Sequence, residues 1–117
     1  MAPAVGPYTP VVRAGDFLVV SGQLGRNADG EFAPGGVGPQ TAQAVANLAE
    51  LLAAEGSSLA EVVKTTVLLA DIDDYGLVNE AYVGAFGDHR PARSAFATGG
   101  LPLGALVEIE AWAYSPR

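Results

Sequence analysis

Ala105-Leu106-Val107-Glu108-Ile109-Glu110-Ala111-Trp112-Ala113-Tyr114 is the stretch whose reading decides the fold. Successive residues of a strand point to opposite faces. Val107, Ile109, Ala111 and Ala113 therefore share a small aliphatic face suited to lie beneath helices. Leu106, Glu108, Glu110, Trp112 and Tyr114 share the other, which mixes two carboxylates with large aromatic surface. A lone sheet would leave Trp112 and Leu106 wet, so a partner subunit over that face is the economical reading.

Working upstream, Ala92–Thr98 after Pro91 reads as another strand, and Val62–Leu69, mostly apolar, as a central one. Phe17-Leu18-Val19-Val20-Ser21-Gly22 is a β-branched apolar run, joined through Ala14-Gly15-Asp16 to a strand at Thr9–Arg13. Between these the period changes. Thr41, Ala44, Val45, Leu48, Leu51 and Leu52 recur at three- and four-residue steps and predict a helix over 39–55, with Pro39 in its first turn and Gly56 at its end. Val78, Tyr82, Ala85 and Phe86 predict a second helix over 73–87, capped by Asp71 or Asp73. Residues 26–40, rich in Gly and Pro, read as a surface loop with a short edge strand at Glu31-Phe32. The expected fold is α+β, a mixed sheet of five to six strands with both helices on one face.

Composition narrows the function classes. The chain has 117 residues, 6 basic against 13 acidic, for a net charge of -7; half of it is apolar and it has no cysteine. That length fits one domain, 1–117, with a real core. No apolar run approaches the roughly 20 residues of a membrane span, and the N-terminus lacks the features of a signal peptide, so a soluble cytoplasmic protein is expected. Without cysteine there is no disulfide framework or thiolate chemistry, and His89 alone offers no histidine cluster, so no metal is expected. The acidic balance works against a nucleic-acid partner. The glycine-rich run Gly35-Gly36-Val37-Gly38 matches neither a P-loop nor a dinucleotide fingerprint.

Arg93 stands out in Pro91-Ala92-Arg93-Ser94-Ala95-Phe96-Ala97-Thr98, a segment short of charge. Alternation puts it on one face with Ala95 and Ala97, small neighbours that leave space for a carboxylate ligand on the guanidinium fork. The competing reading is a salt bridge to Glu108 or Glu110. Glu108 is either a general acid/base that polarises a water or a solvated carboxylate. Tyr8, beside the rigid Gly6-Pro7 turn, is a proton donor or an interface anchor. Asn79 contacts ligand or caps solvent. Ser21 and Gly22 end a strand where backbone groups are open to a ligand, and Ser21 lacks the histidine an activated nucleophile needs. His89 reads as an exposed loop residue.

Seven elements now occur in register: Gly6-Pro7-Tyr8, Val20-Ser21-Gly22-Gln23, Val63-Lys64-Thr65-Thr66-Val67, Asn79-Glu80-Ala81-Tyr82, Arg90-Pro91-Ala92-Arg93-Ser94, Leu101-Pro102 and Val107-Glu108-Ile109-Glu110-Ala111. Together, over about residues 5–114, they resemble the RidA (YjgF/YER057c/UK114) family of reactive-intermediate deaminases. The resemblance implies a chorismate-mutase-like fold and a homotrimer with a central barrel and ligand clefts between neighbours. It also implies hydrolysis of enamine/imine intermediates of the 2-aminoacrylate/2-iminopropionate type to 2-keto acids and ammonia, with no cofactor. By the same resemblance Arg93 clasps the substrate carboxylate, Glu108 positions or activates the attacking water, and Tyr8, Ser21, Gly22 and Asn79 line the cleft. Two departures bear on substrate choice: Ala95-Phe96-Ala97 follows the Arg-Ser pair, with Phe96 and Ala97 lining or neighbouring the cleft, and Leu24-Gly25-Arg26 replaces the usual Ile-Pro. A non-catalytic small-carboxylate-binding or regulatory module is the alternative reading. An endoribonuclease is a third, opposed by the charge balance.

Overall fold

In the computed structural model, which describes residues 3–117, β5 (Val107–Tyr114) lies in the middle of a five-stranded mixed sheet. The other strands are β1 (Val11–Ala14), β2 (Phe17–Leu24), β3 (Val62–Leu69) and β4 (Ala92–Ala97), in the spatial order β1-β2-β5-β3-β4. Only β3 and β4 run parallel. Helices α1 (Val37–Ala54) and α2 (Tyr75–Phe86) make the crossovers. Leu18, Val20, Val67, Leu69, Val107 and Ile109 on the sheet and Val45, Leu48, Leu52 and Val78 on the helices form one buried core. Each such aliphatic side chain contributes about 1.5–3 kcal/mol by leaving water. No helix among the described residues is long and apolar enough to cross a membrane.

The helix ends follow local chemistry. Beyond Ala54, Gly56 takes φ +77 and donates to Ala53 O at 3.0 Å while Ser57 donates to Leu52 O at 2.9 Å, the paired bonds of a glycine-terminated helix. Before α2, the Asp71 carboxylate accepts from Asp73 N–H at 2.9 Å and caps a single tight turn, Ile72–Asp74, that leads into the helix.

Several boundaries differ from the sequence reading. The expected edge strand at Glu31-Phe32 is no more than an isolated bridge between Arg26 and Phe32, because too few residues between Gly30 and Pro34 stay extended to pair; the sheet has five strands, not six. Helix α1 starts at Val37, inside the expected loop, since proline is tolerated in a first turn whose N–H groups lack helical partners. The first strand begins at Val11 rather than Thr9. Leu106, placed on the wet face, instead packs against the core, its N–H donating to Gln40 Oε1 at 3.0 Å.

The contacts that hold β2 to α1 fix one wall of the site described below. Buried Asn47 donates through Nδ2 to Leu24 O at 3.0 Å and Arg26 O at 2.9 Å. Gly25 is buried so closely against α1 that a Cβ would collide with the Gln40 backbone. Gly25→Ala is therefore expected to cost about 1–3 kcal/mol. Gly84→Ala, exposed within α2 and with open space around it, should instead add about 0.5–1 kcal/mol. Urea unfolding midpoints of the two variants against the parent check both signs.

Candidate functional site

Register assigns Arg93 and Glu108 each to a face of the sheet. Thr65 of β3 is paired with both Arg93 of β4 and Ala111 of β5, so these three share the face covered by the helices. Leu68 is paired with both Glu108 and Phe96, so those three share the open face. Arg93 and Glu108 thus project from opposite sides of one sheet, and the chain does not bring them together. The salt bridge weighed for Arg93 fails for the same reason.

On the helix side, Arg93 meets the face of α2 that carries Tyr75, Asn79 and Tyr82, residues four and then three apart. Its Nη2 donates to Asn79 Oδ1 at 2.7 Å and to Tyr75 Oη at 3.1 Å. The guanidinium lies over the Tyr82 ring at 4.9 Å and beside the Tyr75 ring at 5.6 Å. The space expected above the guanidinium is therefore partly taken by aromatic rings. Tyr82 is buried, its hydroxyl 2.7 Å from Thr65 Oγ1. Burial pushes the Tyr82 phenol above its ordinary value; the Thr65 bond and the Arg93 and Arg90 charges oppose this. Asn79 is a direct partner of Arg93 rather than a solvent cap. Nε and Nη1 of Arg93 have no hydrogen-bond partner among the described residues, which leaves charged donors for an anion.

On the open side, Tyr8, Ser21, Gly22 and Glu108 do come together, with Val5, Leu24 and Pro102, around a cleft of about 160 Å³. A second hollow lies next to it and shares Val5, Tyr8, Gly22 and Leu24 with it. Ser21 and Gly22 do not end β2 as expected. They sit within it, at a bulge between Val20 and Gln23 where the pairing with β5 shifts. The Ser21 hydroxyl donates to Thr9 O at 2.6 Å and ties the bulge to the segment before β1. Tyr8 is 42% exposed, and its hydroxyl accepts from Val5 N–H at 3.4 Å. The Glu108 carboxylate lies flat against Gly22, where any Cβ would collide with Oε2. Burial first, and the Glu110 charge second, raise Glu108 above the ordinary carboxylate value.

Phe96 is exposed on the open face and Ala97 takes the Arg93 side, so the two do not line one wall together. His89 is not the exposed loop residue expected: it is partly buried, with Nε2 2.7 Å from Val62 O and its ring beside Phe86. Sequence reasoning did not single out Tyr75 and Tyr82 as Arg93 neighbours, although Tyr75-x-x-x-Asn79-x-x-Tyr82 is a legible helical stripe.

Comparisons with known proteins place the chain among relatives of the same fold. The family model described as Endoribonuclease L-PSP matches residues 1–115. A rat protein named 2-iminobutanoate/2-iminopropanoate deaminase is 47% identical over 109 residues, covering 92% of this chain and 80% of its own. The crystal structure of RidA from the Antarctic bacterium Psychrobacter sp. PAMC 21119 superposes with a TM-score of 0.90 at 37% identity, covering 96% of this chain and 91% of that one. E. coli TdcF with bound serine superposes with a TM-score of 0.87 at 31% identity, covering 95% and 90%.

The environment of Glu108 yields a titration prediction. Its folded value lies above the unfolded one, so the stability this group contributes is full at acid pH and is lost as pH rises through the folded value. Carboxyl-carbon NMR should place the Glu108 midpoint above that of an ordinary glutamate. Glu110→Gln should lower it by removing the like charge. Glu108→Gln should flatten the corresponding part of the stability–pH curve.

Proposed function

The chain belongs to the Endoribonuclease L-PSP family, which includes RidA, and from that premise we propose that it hydrolyses enamine/imine intermediates of small 2-imino acids to 2-keto acids and ammonia. The observation that carries this reading is the state of Arg93: a half-buried guanidinium held by neutral partners, with charged donors still open. Such a group grips a small carboxylate. That a structural neighbour binds serine supports an amino-acid-sized ligand for this fold.

The reaction needs little beyond position. A water adds its oxygen to the imine carbon, a proton passes to nitrogen, and the C–N bond then breaks to release ammonia and leave the keto group. Arg93 fixes the carboxylate so that the imine carbon meets an oriented water, and holding both in place supplies most of the acceleration. Glu108, made more basic by its surroundings, takes the proton from water and returns it to the departing nitrogen. Tyr8, Ser21 and Gly22 wall the same cleft, and Asn79 holds the arginine.

Because Arg93 and Glu108 lie on opposite faces, the working site takes Arg93 from one chain and Glu108 from another. The proposed assembly is the homotrimer with clefts between subunits. It covers the open face, where Val12, Phe96, Trp112 and Tyr114 are each 45–50% exposed. The alternative of a binding module without chemistry is separated by assay. The family description names an endoribonuclease, but 13 acidic against 6 basic residues offer little to a phosphate backbone.

An amino-acid oxidase generating imino acids in the presence of semicarbazide provides the test. The protein should suppress semicarbazone formation, Arg93→Ala should not, and Arg93→Lys, which keeps the charge but loses the planar set of donors that reaches Asn79, Tyr75 and the anion together, should be about 10–100-fold weaker. Semicarbazone formation unaffected by the wild-type protein, with small keto acids still bound, selects the binding module. Arg93→Ala and Glu108→Gln chains, each inactive alone, should recover about a quarter of wild-type activity when refolded together at equal amounts, the share of intact pairs that random mixing gives. No recovery would place both residues in one chain's site or neither.

A further inference from the structure

We infer that the Tyr75 hydroxyl is a second hydrogen-bond donor to the substrate carboxylate, so that the anion is held by Arg93 and Tyr75 together; this rests on the reading of Arg93 as the carboxylate anchor. A phenol hydroxyl carries one hydrogen and two acceptor lone pairs. At Tyr75 a lone pair is taken, since Oη accepts from Arg93 Nη2 at 3.1 Å. Its hydrogen has no acceptor among the described residues, and the ring is 42% exposed at the start of α2. Accepting from a cation polarises the O–H bond and makes it a stronger donor. The hydroxyl therefore stands beside the open guanidinium donors with its proton unspent.

The contrast with Tyr82 sharpens the assignment. Both tyrosine rings flank the same guanidinium, at 5.6 and 4.9 Å. Tyr82 is 4% exposed and its hydroxyl is committed to Thr65 Oγ1, so it offers Arg93 only the face of its ring. Tyr75 is the one of the two whose polar end reaches the surface where a ligand arrives. A carboxylate has two anionic oxygens, one for the guanidinium and one for the hydroxyl. An ester or amide is neutral and presents no anionic oxygen to either donor, so this pair of donors selects free acids.

Pyruvate is the probe for binding, and the 2-iminopropionate made in the semicarbazide assay is the probe for turnover. Tyr75→Phe should bind pyruvate about tenfold more weakly by calorimetry and lose about tenfold in kcat/KM, mostly through KM, as expected for a contact already made in the bound state. An unchanged melting temperature shows that the ring still packs. In a crystal of the pyruvate complex the carboxylate should lie within about 2.5–3.0 Å of Tyr75 Oη. Equal pyruvate affinity for Tyr75→Phe and wild type, or a carboxylate on Arg93 beyond hydrogen-bond reach of Tyr75, overturns the inference and leaves the anchor intact. A loss confined to kcat also overturns it, by showing that Tyr75 only aims Arg93. Wild-type protein that neither binds pyruvate nor hydrolyses the imine overturns the functional reading itself, and the role of Tyr75 with it.

Discussion

A strand in the middle of a sheet gives each residue one of two sides, and β5 is that strand here. Its alternate residues Val107, Ile109, Ala111 and Ala113 are fully buried beneath the helices, which commits Glu108, Glu110, Trp112 and Tyr114 to the other side. Because β3 is hydrogen-bonded to both β5 and β4, the choice propagates: Arg93 must share the helix side with Ala111. A one-residue slip of β4 would turn Arg93, Ala95 and Ala97 to the open side and bring Ala92, Ser94 and Phe96 beneath the helices, so the register of β4 on β3 is what separates the guanidinium from the carboxylate. In the proposed trimer, assembly is then part of the site rather than an addition to it.

Arg93 shows how a cation can be fixed without being neutralised. Taking a guanidinium partly out of water is costly, and a carboxylate partner would offset the cost but also cancel the charge an anionic ligand needs. Here the compensation comes from neutral groups: two oxygens, of Asn79 and Tyr75, and the negative face of the Tyr82 ring. A cation over an aromatic face is worth about 0.5–2 kcal/mol depending on desolvation. Tyr82 is in turn held by Thr65, on the same strand row as Arg93, so the ring's position is set from beneath. The side chain is stiff and the charge remains available.

The fold was largely legible because its signals are local. Val62–Leu69 is a mostly apolar, β-branched run, and the strand occupies those residues; the three- and four-residue apolar steps place α1, whose buried stripe includes Thr41, Ala44, Val45, Leu48 and Leu52. What misled the reading depends on pairing. Glu31-Phe32 has the composition of a strand but finds one bridging partner. The bulge at Ser21-Gly22 comes from the shift of β2 against β5, far away in sequence. The site divides in the same way. Arg93 and Glu108 were visible as residue types, and the faces of β4 and β5 could each be read alone. Which face of β4 matches which face of β5 is a matter of register through β3, so the salt bridge between them stayed open until the structure closed it. His89 and Tyr75 were misjudged or passed over because their partners, Val62 O and Arg93, are brought near by tertiary packing alone.

Glu108 ties chemistry to assembly in a second way. Its carboxylate lies on Gly22 because glycine alone leaves room at that bulge, and Glu110, two residues on, faces the same side. Both the partial burial and the like charge raise its proton affinity in a single chain, while one flank of the cleft is still open. A subunit docked over that face, as proposed, removes further water from the carboxylate and strengthens the larger of the two effects. The incoming chain also brings its Arg93, whose positive charge acts in the opposite sense on any carboxylate near it. A bound substrate carboxylate offsets that charge, so proton affinity at Glu108 rises again when the anion is in place. In the proposed cleft, burial by the neighbouring chain and the neutralising of its arginine by a substrate carboxylate both favour the protonated form of Glu108, and the guanidinium alone opposes it.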